Sequence, residues 1–450
     1  MSSTMAGQIH GSAPYLTFDN GVTKVTTTEG LLGITLSDDT RITPATNTST
    51  AGNPIRLPED NQSFADIGML VPTTTNSINL KDLIGAPYNY WGDDDGDGQG
   101  ANGITVSGRL SVSITNKINQ AVSRSATLDL CNAPYKMVLT STAGSLTTQY
   151  GLPNSSSFSG STATYYISPK AVPKICSVRP SLNDGVGDNA GPADIWSPTK
   201  GFLVQSTESS SYSRNFPTTG ANNLHFDLLA GGIDAATLTW PAVTQGGITA
   251  TMTFNPPEDN SFNPDGASSV RVTLTGPAAT SAQINSASPG SVATPTLPQT
   301  FELVGYDSNN KAVIKYGFVL KQWFVNRGSK YDTYYNHSSW CSNIGGGYRM
   351  PQVKDLTNAK CGVDNYYFPC VNGIDGATPS SSKNNYQRNI GAGLFTEWGY
   401  MNVYTAAGFA DIRYWTSDIN GSYQFYVFSS YGNVVSYNPS VSHYGVCTYP

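Results

Sequence analysis

The chain has 450 residues, with 25 Lys or Arg against 31 Asp or Glu, so 12% of it is charged where an ordinary globular domain carries about 25%. That deficit excludes coiled coils and charge-rich disordered chains, and a formal net charge of −6 supplies no electrostatic footprint for nucleic acid. Ser, Thr, Asn and Gly stand in place of the missing charge, a mixture that suits strands and turns and makes poor helices, so the class is mainly β. At about 100–200 residues per domain the length predicts two to four domains. No apolar run reaches the roughly 18–20 residues needed to cross a bilayer, and direct membrane insertion of this segment is not expected. Residues 1–12, with a second Met at position 5 and no hydrophobic pattern, read as an expression leader ahead of a fragment cut from a longer protein.

Short β signals fill the first 300 residues. In 103–114, Ile104, Val106, Leu110, Val112 and Ile114 mostly alternate with small polar residues, the pattern of strands that bury one face. Segments 126–130, 136–140, 163–167, 201–205, 224–229, 236–240, 248–254, 269–275 and 300–306 read the same way. Strands separated by Gly, Pro, Asn and Asp clusters predict sandwiches rather than βαβ units. The turn-rich stretch 181–198 marks a boundary, giving one β-sandwich domain over 13–198 and an Ig-like sandwich over 199–325. Residues 300–324 read as a hairpin whose long second strand runs straight into a third domain, 326–450.

Within the first domain, Asp93, Asp95 and Asp97 fall at alternate positions with Gly98 next, copying the front of a calcium loop in which spaced carboxylates converge on one hard cation. The closing Glu is missing, since position 104 is Ile. Calcium held by these three aspartates is one expectation, and a solvated acidic turn is the other.

The third domain is set apart by its aromatics: residues 301–450 hold 18 of the 26 Tyr, 4 of the 7 Trp and 8 of the 16 Phe. Residues 350–359 make the best helix candidate, with Pro351 at a tolerated first-turn position and Val353 and Leu356 on one side. A second helical or irregular stretch covers 395–407, and strands follow at 412–416, 422–429, 434–437 and 442–449. Asn420-Gly421 between the first two is a hairpin signal, because both turn positions favour positive φ. This domain is α+β. Its aromatics are core first, and the surplus supplies the residue types that concentrate binding energy at interfaces.

Catalytic patterns are absent from the sequence: His10, His225, His337 and His443 are scattered, and no Gly-x-Ser-x-Gly, His-Glu-x-x-His or phosphate-cradling glycine loop is present. The chain is read as a non-enzyme. Six cysteines without a Cys-x₂-Cys pair favour three disulfides over zinc.

Trp340-Cys341, the run Gly346 to Leu356, Tyr414-Trp415-Thr416-Ser417, Tyr426-Val427-Phe428 and Val446-Cys447 together resemble the C-type-lectin-like module of bacterial surface proteins. Upstream, the stretch 213–228 and the strand 311–326 feeding that module resemble the passenger tip of inverse autotransporter adhesins, the invasin and intimin group. The resemblance implies two sandwiches capped by a lectin-like domain, displayed outside a Gram-negative cell by an outer-membrane barrel that lies N-terminal to this segment. It implies a monomeric adhesin whose partner is a receptor, protein or glycan, on a host or neighbouring cell. The alternatives are a secreted glycan-acting enzyme and a phage or variable receptor-binding protein on the same scaffold. It also implies pairing of Cys341 with Cys447, since that fold joins its first and last strands; Cys361 with Cys370 and Cys131 with Cys176 complete the set. One departure stands out. The calcium-and-sugar tripeptides of sugar-binding C-type lectins are missing, with Trp415-Thr-Ser-Asp418 instead, so a calcium-dependent glycan site is not expected in the third domain.

Recognition is expected in the irregular region 361–411, because loops on a rigid scaffold carry binding and lectin-like folds place ligands there. The expected contact residues are Tyr366, Tyr367, Phe368, Trp398, Tyr400 and Tyr404.

Overall fold

The computed structural model describes residues 11–96, 103–170, 172–255, 261–262, 269–362, 370 and 373–450. They are mainly strand, arranged in antiparallel sheets with two parallel pairings, and divide into two compact units, Met1–Val172 and Pro173–Pro450.

The first unit is built on a five-stranded sheet in the order Ile55–Arg56, Ser161–Ser168, Tyr135–Ser141, Arg109–Thr115, Ser77–Asn79. Period-two alternation sets its faces: Arg109–Thr115 buries Leu110, Val112 and Ile114, and Tyr135–Ser141 buries Tyr135, Met137 and Leu139. A three-stranded sheet of Ser155–Phe158, Gly144–Thr147 and Thr105–Ser107 completes the layer pair. The chain changes sheets at Gly108, whose φ of +110° suits glycine, and Gly144 is required beside it because a Cβ there would lie 2.1 Å from the Ser107 carbonyl oxygen. The segment 126–130 is not a regular strand; it makes one bridge, Ser63 to Thr127, and then closes into a 3₁₀ turn capped by Asp129.

The second unit holds a seven-stranded sheet, in order Trp196–Ser197, Gly201–Leu203, Lys174–Arg179, His225–Gly231, Ser269–Thr275, Ile248–Asn255, Val243–Gln245. The hairpin Gln299–Tyr306 with Ala312–Leu320 packs on it through Phe301 and Phe318, stacked at 5.1 Å, and Phe226 edge-on to Phe318 at 5.9 Å. The division at 172/173 differs from the boundary read near 198, because Lys174–Arg179 pairs with His225–Gly231 and Trp196 packs on Phe202. Turn residues between 181 and 198 interrupt the sheet without leaving its core. Nor does 325/326 separate two cores: one continuous apolar cluster runs from Ile175 to Cys447. Segment 236–240 forms a 3₁₀ turn, Ala235–Thr237, rather than a strand.

The stretch 311–326 is two strands in two sheets. After Ala312–Leu320 the chain breaks at Lys321, whose N–H donates to the Thr218 carbonyl at 2.7 Å, and Gln322–Asn326 becomes the centre of a different sheet. There it lies parallel to Thr219–Ala221 and antiparallel to the final strand Val446–Tyr449. The longest helix follows, Tyr334–Asn343, capped by the Thr333 hydroxyl, with His337, Trp340 and Cys341 buried. Its tyrosines, serines and asparagines are poor helix formers, so tertiary burial and the Cys341–Cys447 bridge hold it. The predicted helix at 350–359 is a single turn, Val353–Leu356, boxed by Gln352 and Asp355 and ended by an extended Thr357. Arg413–Asn420, Tyr423–Phe428 and Val434–Tyr437 form the last antiparallel sheet. Its hairpin loop is Gly421-Ser422, one residue later than the Asn-Gly reading, with Gly421 at φ +62° and Asn420 paired to Tyr423.

One buried carboxylate of the C-terminal half gathers four donors from the sandwich. Glu397, on the short helix Leu394–Trp398, is wholly buried and accepts the N–H and O–H of Thr218 (3.1 and 2.9 Å), the N–H and O–H of Thr219 (2.9 and 2.5 Å) and the Gly391 N–H (2.8 Å). Burial raises its pKa while those donors oppose the rise. Glu397→Ala should leave the four buried donors of Thr218 and Thr219 without this acceptor and lower unfolding stability by about 3 kcal/mol or more, read as a shift in denaturant midpoint. A change below 1 kcal/mol would mean that the Glu397 bonds do not hold the two halves together.

Candidate binding surface

The aromatic surplus of residues 301–450 is used in two ways. Most rings form the core: Trp323, Trp340, Trp398, Trp415, Tyr386, Tyr404 and Tyr414 are each less than 2% exposed. A second group lies on one face of the last sheet and gathers around His443.

That face follows from register. Directly opposed residues point to the same side, so Trp415 and Tyr426, then Tyr426 and Val435, and Gln424 and Tyr437 share it, with Arg413 opposite Phe428. His443 covers them, its ring 4.6 Å from Trp415 and 4.8 Å from Tyr426, and the Arg413 guanidinium lies over the rings of Tyr426 and Phe428. Tyr331 packs against His443 and Tyr444, Tyr334 against Tyr335 and Trp415, and Tyr437 reaches His443 at 6.3 Å. Backbone bonds fix the helix start to the last loop: Tyr334 N–H donates to Pro439 O, and Asp332 and His443 exchange both of theirs. The outer rings remain open to solvent, Tyr331 at 51%, Tyr335 at 59% and Tyr437 at 49% exposed, and Ile419 at 69% extends the face toward the hairpin tip.

Rigid tyrosines on a braced floor present large apolar area with a hydroxyl at each tip and little rotamer entropy to lose. Exposed tyrosines presented together on a sheet face are the residue type that protein interfaces enrich.

The residues expected to bind fare differently. Trp398 and Tyr404 are core: Trp398 donates its indole N–H to the Thr219 carbonyl and packs on Phe216, while the Tyr404 hydroxyl donates to Trp398 O and accepts from Ser181 N–H. Both are wholly buried and unavailable to a ligand, because the region 394–407 is pulled onto the sandwich. Tyr400 is half-buried, its hydroxyl donating to Asp411 at 2.8 Å. Tyr366, Tyr367 and Phe368 lie outside the described residues. The polar run 378–389 is also largely internal, with Ser381, Asn384, Asn385, Arg388 and Asn389 buried. The face that the sequence did not single out is carried by Tyr331, Tyr335, Tyr437 and Tyr444; three tyrosines within five residues, 331–335, were its available signal.

At the acidic turn, Asp95 accepts the Ser12 N–H at 2.6 Å, and Asp94 accepts from Tyr15 Oη at 3.0 Å and pairs with Lys24 at 2.6 Å. Asp97 lies outside the described residues, and among the described residues no three His, Cys, Asp or Glu side chains gather as a metal site. All six cysteines are in disulfides: Cys341 with Cys447 and Cys361 with Cys370 at Cα separations of 5.4 and 5.0 Å, and Cys131 and Cys176 likewise oxidised. Among the described residues no helix is long and apolar enough to cross a membrane.

No protein-family profile and no curated protein matches the chain. Among solved structures it is similar to invasin, a bacterial integrin-binding protein, at 12% identity and a TM-score of 0.35, over 77% of this chain and 51% of that one. It thus spans about half the length of that invasin chain. It is similar also to the C-terminal 282-residue fragment of intimin in complex with the intimin-binding domain of the translocated intimin receptor, at 13% identity and a TM-score of 0.33 over 78% of this chain and 94% of that one. A third is the 190-residue intimin fragment of enteropathogenic E. coli, at 15% identity and a TM-score of 0.25, over 52% of this chain and 90% of that one.

His443 is 1% exposed and both of its ring nitrogens lack a hydrogen-bond partner. Burial, with Arg413 adding to it, lowers its pKa to about 4. His337, wholly buried, is also lowered to about 4, by burial first and by Arg327, against the Nε2 contact to His443 O at 3.0 Å. A folded pKa below the unfolded value of 6.5 gives stability that is complete above pH 6.5 and is lost as pH falls toward 4, on the order of 3 kcal/mol per histidine. Denaturant midpoints measured from pH 7 to pH 4 should therefore fall. His443→Phe, which suits an aromatic cage, should remove about half of that slope; an unchanged slope would show that His443 titrates normally.

Proposed function

We propose that the chain is the outer part of a bacterial cell-surface adhesin that holds a receptor on a host or neighbouring cell through the tyrosine face of residues 331–335 and 413–444. One observation carries the reading: Tyr331 and Tyr437 stand about half exposed against the buried His443, and Tyr335 about as exposed beside Tyr334, next to the last sheet. Tyrosine is among the side chains that interfaces enrich and that carry most of their binding energy. The resemblance of the Trp340-to-Cys447 motifs to a lectin-like tip agrees with this, as does the pairing of the strand entering that region with its last strand. Complete cysteine oxidation fits an extracellular setting, and display by an N-terminal outer-membrane barrel belongs to the same proposal. No catalytic step is assigned.

The test is cell binding by the folded chain and by Tyr331→Ala, Tyr335→Ala and Tyr437→Ala. An anchor should cost 2 kcal/mol or more, roughly a thirty-fold loss of affinity, with the unfolding midpoint unchanged. Alanine at Tyr366, Tyr367 and Phe368 is the companion measurement. Loss of binding there, with the three tyrosine variants unaffected, would move the contact to the 361–411 region.

A further inference from the structure

Between Tyr437 and Gly445, His443 is the one buried residue, while Asn438, Ser440 and Val441 are exposed. This stretch is therefore held by one buried ring, set against Trp415 and Tyr426, and by backbone bonds to Asp332, Tyr334, Arg413 and Trp415. Neither ring nitrogen of His443 has a hydrogen-bond partner, and the Arg413 guanidinium lies over Tyr426, the ring against which His443 also packs.

A second histidine stands behind it. His337, wholly buried on the helix Tyr334–Asn343, sets its Nε2 3.0 Å from the His443 carbonyl oxygen and its Nδ1 3.2 Å from Arg327 Nη1. A carbonyl only accepts and a guanidinium only donates, so His337 is the neutral tautomer with its proton on Nε2. A proton on Nδ1 would replace the bond from Arg327 by a contact between two cations. Arg327 is fixed where it stands: it is 3% exposed, its Nη1 donates also to Asn336 O at 3.3 Å, and it lies over the Trp340 ring. The His337 ring is confined as well, since a Cβ at Gly445 would run into it.

The other groups around the pair supply no free counter-charge. Asp332, on the loop before the helix, already accepts from Asn336 Nδ2 at 2.7 Å and the Thr333 N–H at 2.9 Å, and lies 3.8 Å from Arg327. Its attraction for a proton on His337 is offset by Arg327 and Lys330. Tyr331 and Tyr444 from the flanking loops, Tyr334 from the helix and Tyr426 and Tyr437 from the last sheet stay neutral in this pH range. Burial first, with Arg327 and Arg413 adding to it, lowers both histidines to about 4.

We propose that His337 and His443 form an acid latch: as neutral rings they fasten 327–335 and 438–445 to the last sheet, and their protonation releases that layer and dismantles the tyrosine face. Loss of the receptor in acidic surroundings would follow, a consequence that rests on the binding face proposed above, whereas the latch itself does not. The sign follows from linkage. A closed-state value below the open-state one keeps the latch shut above about pH 6.5 and opens it as pH falls toward 4, so the opening equilibrium shifts roughly thirty-fold per histidine between pH 7.5 and pH 5.

Hydrogen exchange of the whole chain, read by mass spectrometry at pH 7.5 and pH 5 and corrected for the intrinsic rate at each, tests this without any receptor. Peptides over 327–335 and 438–445 should lose protection about thirty-fold or more in acid, while the strand Ser269–Thr275 keeps its own. His443→Phe fills the cage with a ring that does not titrate, and His337→Gln keeps an acceptor for Arg327 and a donor for the His443 carbonyl. Each should make the acid response about ten-fold smaller or more, and the double variant should abolish it. Protection retained at pH 5 by the unaltered chain, equal loss along Ser269–Thr275, or an acid response unchanged in both single variants would each overturn the latch. Should one variant fail to fold at pH 7.5, the unaltered chain and the other variant decide. Local opening in acid with cell binding undiminished at pH 5 would support the latch and move the binding face elsewhere.

Discussion

A carboxylate taken out of water must be met by donors from the protein, and the way Glu397 meets its five constrains most of the second unit. Two come from Thr219 at the start of the strand Thr219–Ala221, two from Thr218 before it and one from Gly391. The helix Leu394–Trp398 therefore cannot swing out as a surface loop. It is held against the sandwich, which places Trp398 between Phe216 and Phe226 and brings the Tyr404 hydroxyl to Ser181. Arg388, also wholly buried, stacks at 4.2 Å over Trp196 and donates to the carbonyls of Thr396, Glu397 and Ser181. An irregular segment with poor helix propensity is thereby as ordered as a strand, because its polar groups have partners and its rings have neighbours.

The consequence is a division of the aromatic residues by depth. Rings on 394–404 serve the join, and rings on the first helix and last sheet are left for the surface. The chain enters this region through Gln322–Asn326, which is flanked on both sides by other strands, and leaves through Val446–Tyr449 beside it. Cys341–Cys447 ties the helix to that exit strand and closes a loop of 106 residues, a cross-link worth about 4–5 kcal/mol in the chain-entropy view. The tyrosines at the helix start thus project from an element anchored at both ends. Preorganisation of this kind lowers the entropy lost when a partner docks.

Much of this was legible. Alternation in 103–114 and 269–275 and in the first strand of the hairpin at 299–320 expresses period-two burial, which survives in the sequence because each residue carries its own side of the pattern. What escaped was tertiary. Tyr334–Asn343 has neither propensity nor an apolar stripe to announce a helix, while 350–359 has both over a few residues and yields one turn, because Asn358 is drawn off to bond Pro379 O and Gln387 O. Lys174–Arg179 follows a turn-poor stretch and belongs to the second unit, since sheet membership depends on a partner some fifty residues on. Trp398 and Tyr404 looked like loop aromatics for the same reason: their place is fixed by the buried Glu397 bonding Thr218 and Thr219, nearly 180 residues earlier in the chain, and a single Glu in the sequence gives no sign of that partner.

The low charge of the chain also sets how it can recognise anything. With few ion pairs to steer encounter, affinity must come from ring burial and from hydroxyl networks. The two units divide these means between them. The second concentrates tyrosine beside a sheet face where Arg413 lies over the rings of Tyr426 and Phe428, so its charge is already committed to the floor beneath. The first sets Thr and Ser beside Arg124, whose guanidinium braces the carbonyls of Val71, Pro72 and Thr75. Removing charge from a surface does not remove specificity; it transfers it to the few ionic groups that remain, and their protein partners or lack of them decide what each surface can accept.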